Sequence, residues 1–257
     1  MNNIAFEFGN FTVTWYGILV ATGFLTGYFT AFNRAPKAGV SSENVSDVFT
    51  WIIVGGILGA RLLYVTTYWS ETFEGQPLAN IFKIWEGGLV FFGGLIGGTC
   101  ATILYCKIKK ISVYRIGDVL APSLSLGHAF GRIGCLMAGC CYGKECSLPW
   151  GIQFPDSHAT HPDLVHPVQI YEAILNLLLF GILIFIFRRR KFDGQVLGFY
   201  CIGYAIIRFS VEFFRGDYPS YIAGSITQAH IISLFLTALG VWIYLAGLKK
   251  ANSLSQS

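Results

Sequence analysis

Hydrophobic residues run through this chain in seven long stretches separated by short polar segments. They cover approximately Val13–Phe32, Val48–Tyr68, Leu89–Tyr105, Ile116–Met137, Val168–Phe187, Val196–Phe214 and Ile231–Leu248. Each approaches the roughly 20 apolar residues that a helix needs to cross a bilayer. The fourth stretch is the least hydrophobic, with Asp118, Pro122, His128 and Arg132 in it. That is the profile of a helix lining a polar cavity. The pattern predicts an all-α membrane protein: seven transmembrane helices in a single domain over residues 1–257, with a frayed tail from Asn252 to Ser257. No internal repeat, linker or low-complexity segment interrupts it.

Composition agrees. Hydrophobic residues make up 54% of the chain and charged residues 12%, against about 25% charged in a soluble domain. The mean hydropathy is +0.56. Met1–Asn10 holds no Lys or Arg, so the basic start of a cleavable signal peptide is missing and the first stretch is expected to stay as a span. The net charge of +4 does not argue for nucleic acid, because its placement explains it. Twelve of the 18 Lys and Arg residues are Arg34, Lys37, Lys107, Lys109, Lys110, Arg115, Arg188–Arg190, Lys191, Lys249 and Lys250, all in alternate connecting segments or the C-terminal tail. The opposite connections carry Lys83, Lys144 and Arg215. By the positive-inside rule the N-terminus lies outside and the C-terminus in the cytoplasm. Trp69–Gly88 and Ala138–Pro167 are then outer segments.

The remaining three arginines, Arg61, Arg132 and Arg208, fall inside apolar stretches. Arginine at the middle of a bilayer costs on the order of 2.5–3.5 kcal/mol on insertion scales, so such residues point to function by default. Asp118, Glu172 and Glu212 are the carboxylates within or at the margins of the spans. Two readings stand: three Arg–carboxylate pairs that brace the bundle, or guanidiniums left unneutralised for an anion. Asp118 and Arg132 sit at opposite ends of one stretch and cannot pair. Tyr204, Arg208 and Glu212 recur every four residues and share a helix face. His128 is four residues before Arg132, on one face, and is a candidate base. Two guanidiniums at similar depth suit a phospholipid phosphate, which arginine matches bidentately.

The other singular residues admit plainer readings. The run WEGGLVFFGGLIGG (Trp85–Gly98) allows either close helix packing or close approach of backbone N–H groups to a ligand. Cys135, Cys140, Cys141 and Cys146 cluster in sequence. They read as small apolar fillers or a local disulfide, and no spacing supports a metal site. His158 and His161 are expected to be solvated. His166 and Pro167 open a helix. His230 carries little weight either way.

Motifs in order along almost the whole chain resemble one family. They are WYG (Trp15–Gly17), GARLLY (Gly59–Tyr64), GGLVFFGGLIGG (Gly87–Gly98), GDVLAP (Gly117–Pro122), GRIG (Gly131–Gly134), HPVQIYE (His166–Glu172) and GYAIIRFSVEFFR (Gly203–Arg215). On these the chain is similar to the prolipoprotein diacylglyceryl transferases, multi-pass enzymes of the bacterial inner membrane. The resemblance implies transfer of the diacylglyceryl group of phosphatidylglycerol to the lipobox cysteine thiol in the signal peptide of a prolipoprotein. A thioether forms and glycerol phosphate leaves. No cofactor or metal is implied. Arg132 would hold the phospholipid, with Arg208 and Tyr204 as a second essential pair and His128 assisting. Tyr16, Arg61, Gly93, Gly94, Gly143 and Glu212 complete the expected substrate-binding set.

Three positions depart from the family pattern. Phe92 stands where the family typically has His, Cys135 where it has Asn, and Cys140 where it has Glu. Phenylalanine has no proton to give or take, so general-base catalysis from that position is lost. This opens an alternative: a catalytically impaired paralogue that still binds phospholipid or lipoprotein segments. The chemistry itself asks little of a base. Two arginines stabilise the developing phosphate dianion, and their field favours the substrate thiolate.

Overall fold

The computed structural model describes residues 4–9, 11–217 and 226–255. Among these, seven helices of 18 residues or more coincide with the seven apolar stretches. They are α1 (Trp15–Arg34), α2 (Ser42–Thr67), α3 (Phe91–Lys109), α4 (Val113–Ala138), α5 (Val168–Arg188), α6 (Gln195–Glu212) and α7 (Gln228–Ser255). Four of them, α2, α3, α5 and α7, are long and apolar enough to cross a membrane. In the apolar window of α7 only 17% of residues are buried. Trp242, Phe235 and Leu234 are among the large side chains it exposes. An apolar surface of that kind calls for lipid or protein, not water.

The all-α expectation needs one correction. Among the described residues there are two short antiparallel hairpins: β1 (Ile4–Phe8) with β2 (Phe11–Thr14), and β3 (Ile152–Gln153) with β4 (Leu164–Val165). The first leads into α1, where Thr14 Oγ1 accepts the Gly17 N–H at 3.1 Å and caps a free donor of the first turn. A second correction concerns the tail. Helix α7 continues through Ser255, so Asn252–Ser255 are helical; Gln256 and Ser257 lie outside the described residues.

The chain divides into two compact units. One is Phe32–Ile116 and is dominated by α2 and α3. Ser41 caps α2 by accepting the Asn44 N–H at 3.1 Å. The two helices meet through glycines: a Cβ at Gly93 would overlap the Gly59 carbonyl, and one at Gly97 the Gly55 carbonyl. This is small-residue packing at a four-residue repeat, suited to a bilayer where helices gain no hydrophobic drive from each other.

The other unit comprises Met1–Ala31 and Gly117–Ser257. Here α1 meets α4 through Gly23 and Gly27, with a Thr30–Ser123 hydroxyl bond of 3.0 Å. Gly198 and Gly240 bring α6 against α7. Asp118, fully buried, accepts the N–H groups of Gly194 (2.9 Å) and Leu197 (2.8 Å). A carboxylate from α4 thus serves the N-terminus of α6, where free donors and the helix dipole both favour negative charge.

Candidate active site

Three helices of the larger unit carry polar residues onto one site. On α4, His128, Arg132 and Cys135 fall at i, i+4 and i+7. On α5 the polar positions are Gln169, Glu172 and Asn176, at i, i+3 and i+7, in an otherwise apolar helix. Helix α6 supplies Tyr204, Arg208 and Glu212. These spacings place each trio on one helix face.

Both arginines are paired. Arg132 Nη2 lies 2.9 Å from Glu172 Oε1, and Arg208 Nη1 lies 2.7 Å from Glu212 Oε2. The guanidiniums keep 18% and 16% side-chain exposure while their carboxylates keep 1% and 2%. Of the two readings, these contacts match paired arginines and not guanidiniums left unneutralised. The two charges are balanced, yet their donors are not exhausted, since each guanidinium has five N–H groups. Tyr204 lies within electrostatic reach of Arg132, Arg208 and Glu172. His128 stacks on Tyr204, ring centroids 4.7 Å apart. Thr227 Oγ1 donates to Glu212 Oε1 at 2.6 Å, and His230 Nδ1 accepts the Thr227 N–H at 3.1 Å.

Shielded polar atoms without hydrogen bonds concentrate here among the described residues. They include His128 Nδ1, Gln169 Oε1 and Glu172 Oε2, while Glu172 Oε1, Arg208 Nη1 and Glu212 Oε2 have only their ion contacts. Buried polar groups are normally satisfied, and a cluster of exceptions asks for a ligand, a water or a catalytic role.

The sequence model of one family, prolipoprotein diacylglyceryl transferase, matches residues 3–246. The chain belongs to that family. Among curated relatives, phosphatidylglycerol–prolipoprotein diacylglyceryl transferase of Clostridium tetani is 34% identical over 245 residues, covering 95% of this chain and 97% of the relative. The enzyme of the same name from Nitratidesulfovibrio vulgaris is 37% identical over 248 residues, covering 94% and 92%. That of a Nostoc species is 35% identical over 253 residues, covering 93% and 88%. Family membership makes this a membrane transferase of lipoprotein biosynthesis.

Several expected site residues of this transferase are occupied with structural tasks. Arg61 lies in the other unit and its guanidinium is filled by carbonyls: Ile81 (2.7 Å), Asn80 (2.8 Å), Gly87 (2.8 Å) and Gly88 (3.1 Å). Tyr64 and Phe73 flank it at 5.4 and 5.6 Å. It clamps the Leu78–Gly88 segment and has few donors left over. Gly93 is buried against the α2 backbone, so its small size serves packing and not ligand approach. Gly94, beside it on α3, packs more loosely against Gly56 and Ala60. Phe92, in the same unit, is 54% exposed. Gly143 donates its N–H to the His166 carbonyl at 3.2 Å, and a side chain there would strike His166 and Val168.

Tyr16, at the start of α1, packs against Gly134 and lies within electrostatic reach of Arg132 and of Cys135, Cys140 and Cys141. His158 is not a solvated loop residue. It stacks on Phe154 at 4.2 Å and bonds the Gly139 carbonyl at 2.7 Å, satisfying an acceptor at the end of α4. His161 is likewise tied, with Nδ1 3.1 Å from the Phe154 carbonyl. All seven cysteines are free thiols, so no local disulfide joins Cys135, Cys140, Cys141 and Cys146. Hydrogen bonds from Cys135 and Cys140 hold the Cys141 thiol well below its ordinary range, against burial and with help from Arg132 and Arg215.

Glu172, a possible arginine partner from sequence, is the partner of Arg132; Gln169, given no role from sequence, donates to the Cys140 carbonyl at 2.7 Å. The signal was the polar i, i+3, i+7 pattern in the apolar α5.

Proposed function

We propose that this chain moves the diacylglyceryl group of phosphatidylglycerol onto the lipobox cysteine of a prolipoprotein signal peptide, in the bacterial inner membrane. Its seven helices all cross the bilayer, N-terminus outside and C-terminus in the cytoplasm. The substrate thiolate attacks the glyceryl carbon that carries the phosphate ester. A C–S bond forms, the C–O bond breaks, and the electron pair leaves on glycerol phosphate. Arg132 and Arg208 meet that phosphate with the N–H donors their carboxylates leave over, a preorganised electrostatic stabilisation worth roughly 10²–10³-fold per donor in comparable sites. Glu172 and Glu212 hold the guanidiniums in place. Tyr204 orients between them, and His128 takes the thiol proton. Tyr16 borders the same site.

The observation that carries this reading is the set of under-bonded buried polar groups around Arg132, Tyr204 and Arg208, in a chain whose relatives bear the name of this activity. The test is complementation. Expression of this chain in a bacterium depleted of its own transferase restores growth and lipoprotein maturation. A chain that is expressed and inserted but leaves precursors unlipidated would instead be the impaired paralogue.

A further inference from the structure

Cys135, Cys140 and Cys141 have no assigned role in the proposed transfer chemistry, yet their thiols converge. The three Sγ atoms lie within 4.8 Å of one another. Backbone geometry builds this arrangement. Gly139 (φ 70°) turns the chain off the end of α4, and the Cys140 N–H returns to the Cys135 carbonyl at 3.1 Å. Cys141 then adopts φ 61°, a left-handed conformation that a non-glycine residue takes only where its surroundings enforce it. The second turn folds two consecutive side chains toward Cys135. Gln169 pins the loop to α5 through the Cys140 carbonyl at 2.7 Å.

We propose that Cys135, Cys140 and Cys141 form a three-thiolate site for a thiophilic d¹⁰ cation, Zn²⁺ in its divalent form, with the fourth position open. Sulfurs around Zn²⁺ at a Zn–S distance of about 2.3 Å stand roughly 3.8 Å apart, so small side-chain rotations close the present spread. Thiolates select such soft cations over hard ones. Three thiolates and a divalent ion leave one negative charge, and Arg132 and Arg215 both act on Cys141, so the filled site sits in a favourable field. His158 does not complete the set, since its ring nitrogens bond Gly139 (2.7 Å) and Thr160 (2.9 Å). Cys140 is exposed and gives the ion a way in. The C-x₄-C-C spacing lies outside familiar zinc patterns, so the sequence led to an expectation of no metal. This site is independent of the transferase reading.

The experiment uses the reduced full-length protein in detergent micelles. Co²⁺ titration should give thiolate-to-cobalt charge-transfer bands that saturate at one equivalent and vanish on adding Zn²⁺. Cys135→Ser, Cys140→Ser and Cys141→Ser should each weaken Zn²⁺ binding by more than about tenfold, while Cys146→Ser leaves it unchanged. If a variant fails to fold, alkylation of the wild-type protein decides the matter: Zn²⁺ should shield the peptides holding these three cysteines and leave the reactivity of Cys146 unchanged. Absence of charge-transfer bands at millimolar Co²⁺, or equal alkylation with and without Zn²⁺, would overturn the proposal. A disulfide among the three in anaerobically purified protein would overturn it too.

Discussion

Arg132 is held at its site by Glu172, and that pairing separates two roles that a charge-counting view merges. Removing Glu172 does not remove the positive charge, but it releases the guanidinium from its position. Glu172→Gln should therefore leave the lipid KM within a few-fold of wild type while kcat falls by roughly 10²-fold, the usual scale for a misplaced catalytic group. A raised KM with unchanged kcat would mean that Glu172 only shapes the lipid pocket. His128 has an unbonded, shielded Nδ1 and stacks on Tyr204. As the proton acceptor it contributes about 10²–10⁴-fold, so His128→Ala should slow transfer and flatten the acid limb of the pH–rate profile. An unaltered profile removes it from the mechanism. The three arginines were legible in the sequence as residues needing partners. The i, i+4 spacing made Glu212 legible as the partner of Arg208, but the partner of Arg132 was not, because Glu172 and Arg132 come together only through packing of α4 against α5. The partners of Arg61 were illegible for the same reason: its acceptors are backbone carbonyls of a distant segment, and a sequence shows side chains better than carbonyls.

At the scale of elements, the glycine-rich third stretch was readable in two ways, and contact geometry chooses for Gly93 and Gly97. Both lie against the α2 backbone at Gly55 and Gly59. Gly59→Leu should therefore destabilise the protein by at least about 1–3 kcal/mol through overpacking, seen as a lower unfolding temperature in detergent. Gly131→Ala, where no atom lies within 4 Å of an added Cβ, should have little effect on the same measurement. Equal losses at the two sites would show that α2 and α3 do not depend on this close approach. The helices themselves were legible because long apolar runs admit little else. The hairpins were not. Strands β3 and β4 have only two residues each, too short for a period to show.

For the whole molecule, the proposed orientation rests on charge alone. The Lys and Arg residues concentrate in alternate connections, and the rule that reads them concerns insertion, not the folded chain. Reporter fusions test it directly. A periplasm-active reporter placed after Lys144 should be active and one after Lys191 inactive. The reverse result would put Arg132 and Arg208 on the wrong side of the membrane for this reaction. Phe92 belongs to this scale too, since it stands on the smaller unit while the paired arginines stand on the larger. Phe92→His should raise the rate only modestly if His128 already takes the proton.

The most direct measurement is transfer by the purified protein from phosphatidylglycerol to a lipobox peptide, read as the peptide's mass gain of one diacylglyceryl group on the cysteine. The wild-type protein should carry it out, and Arg132→Ala should lose at least about 10²-fold in rate while remaining folded. Transfer by Arg132→Ala at the wild-type rate, or none by the wild-type protein, would contradict this account.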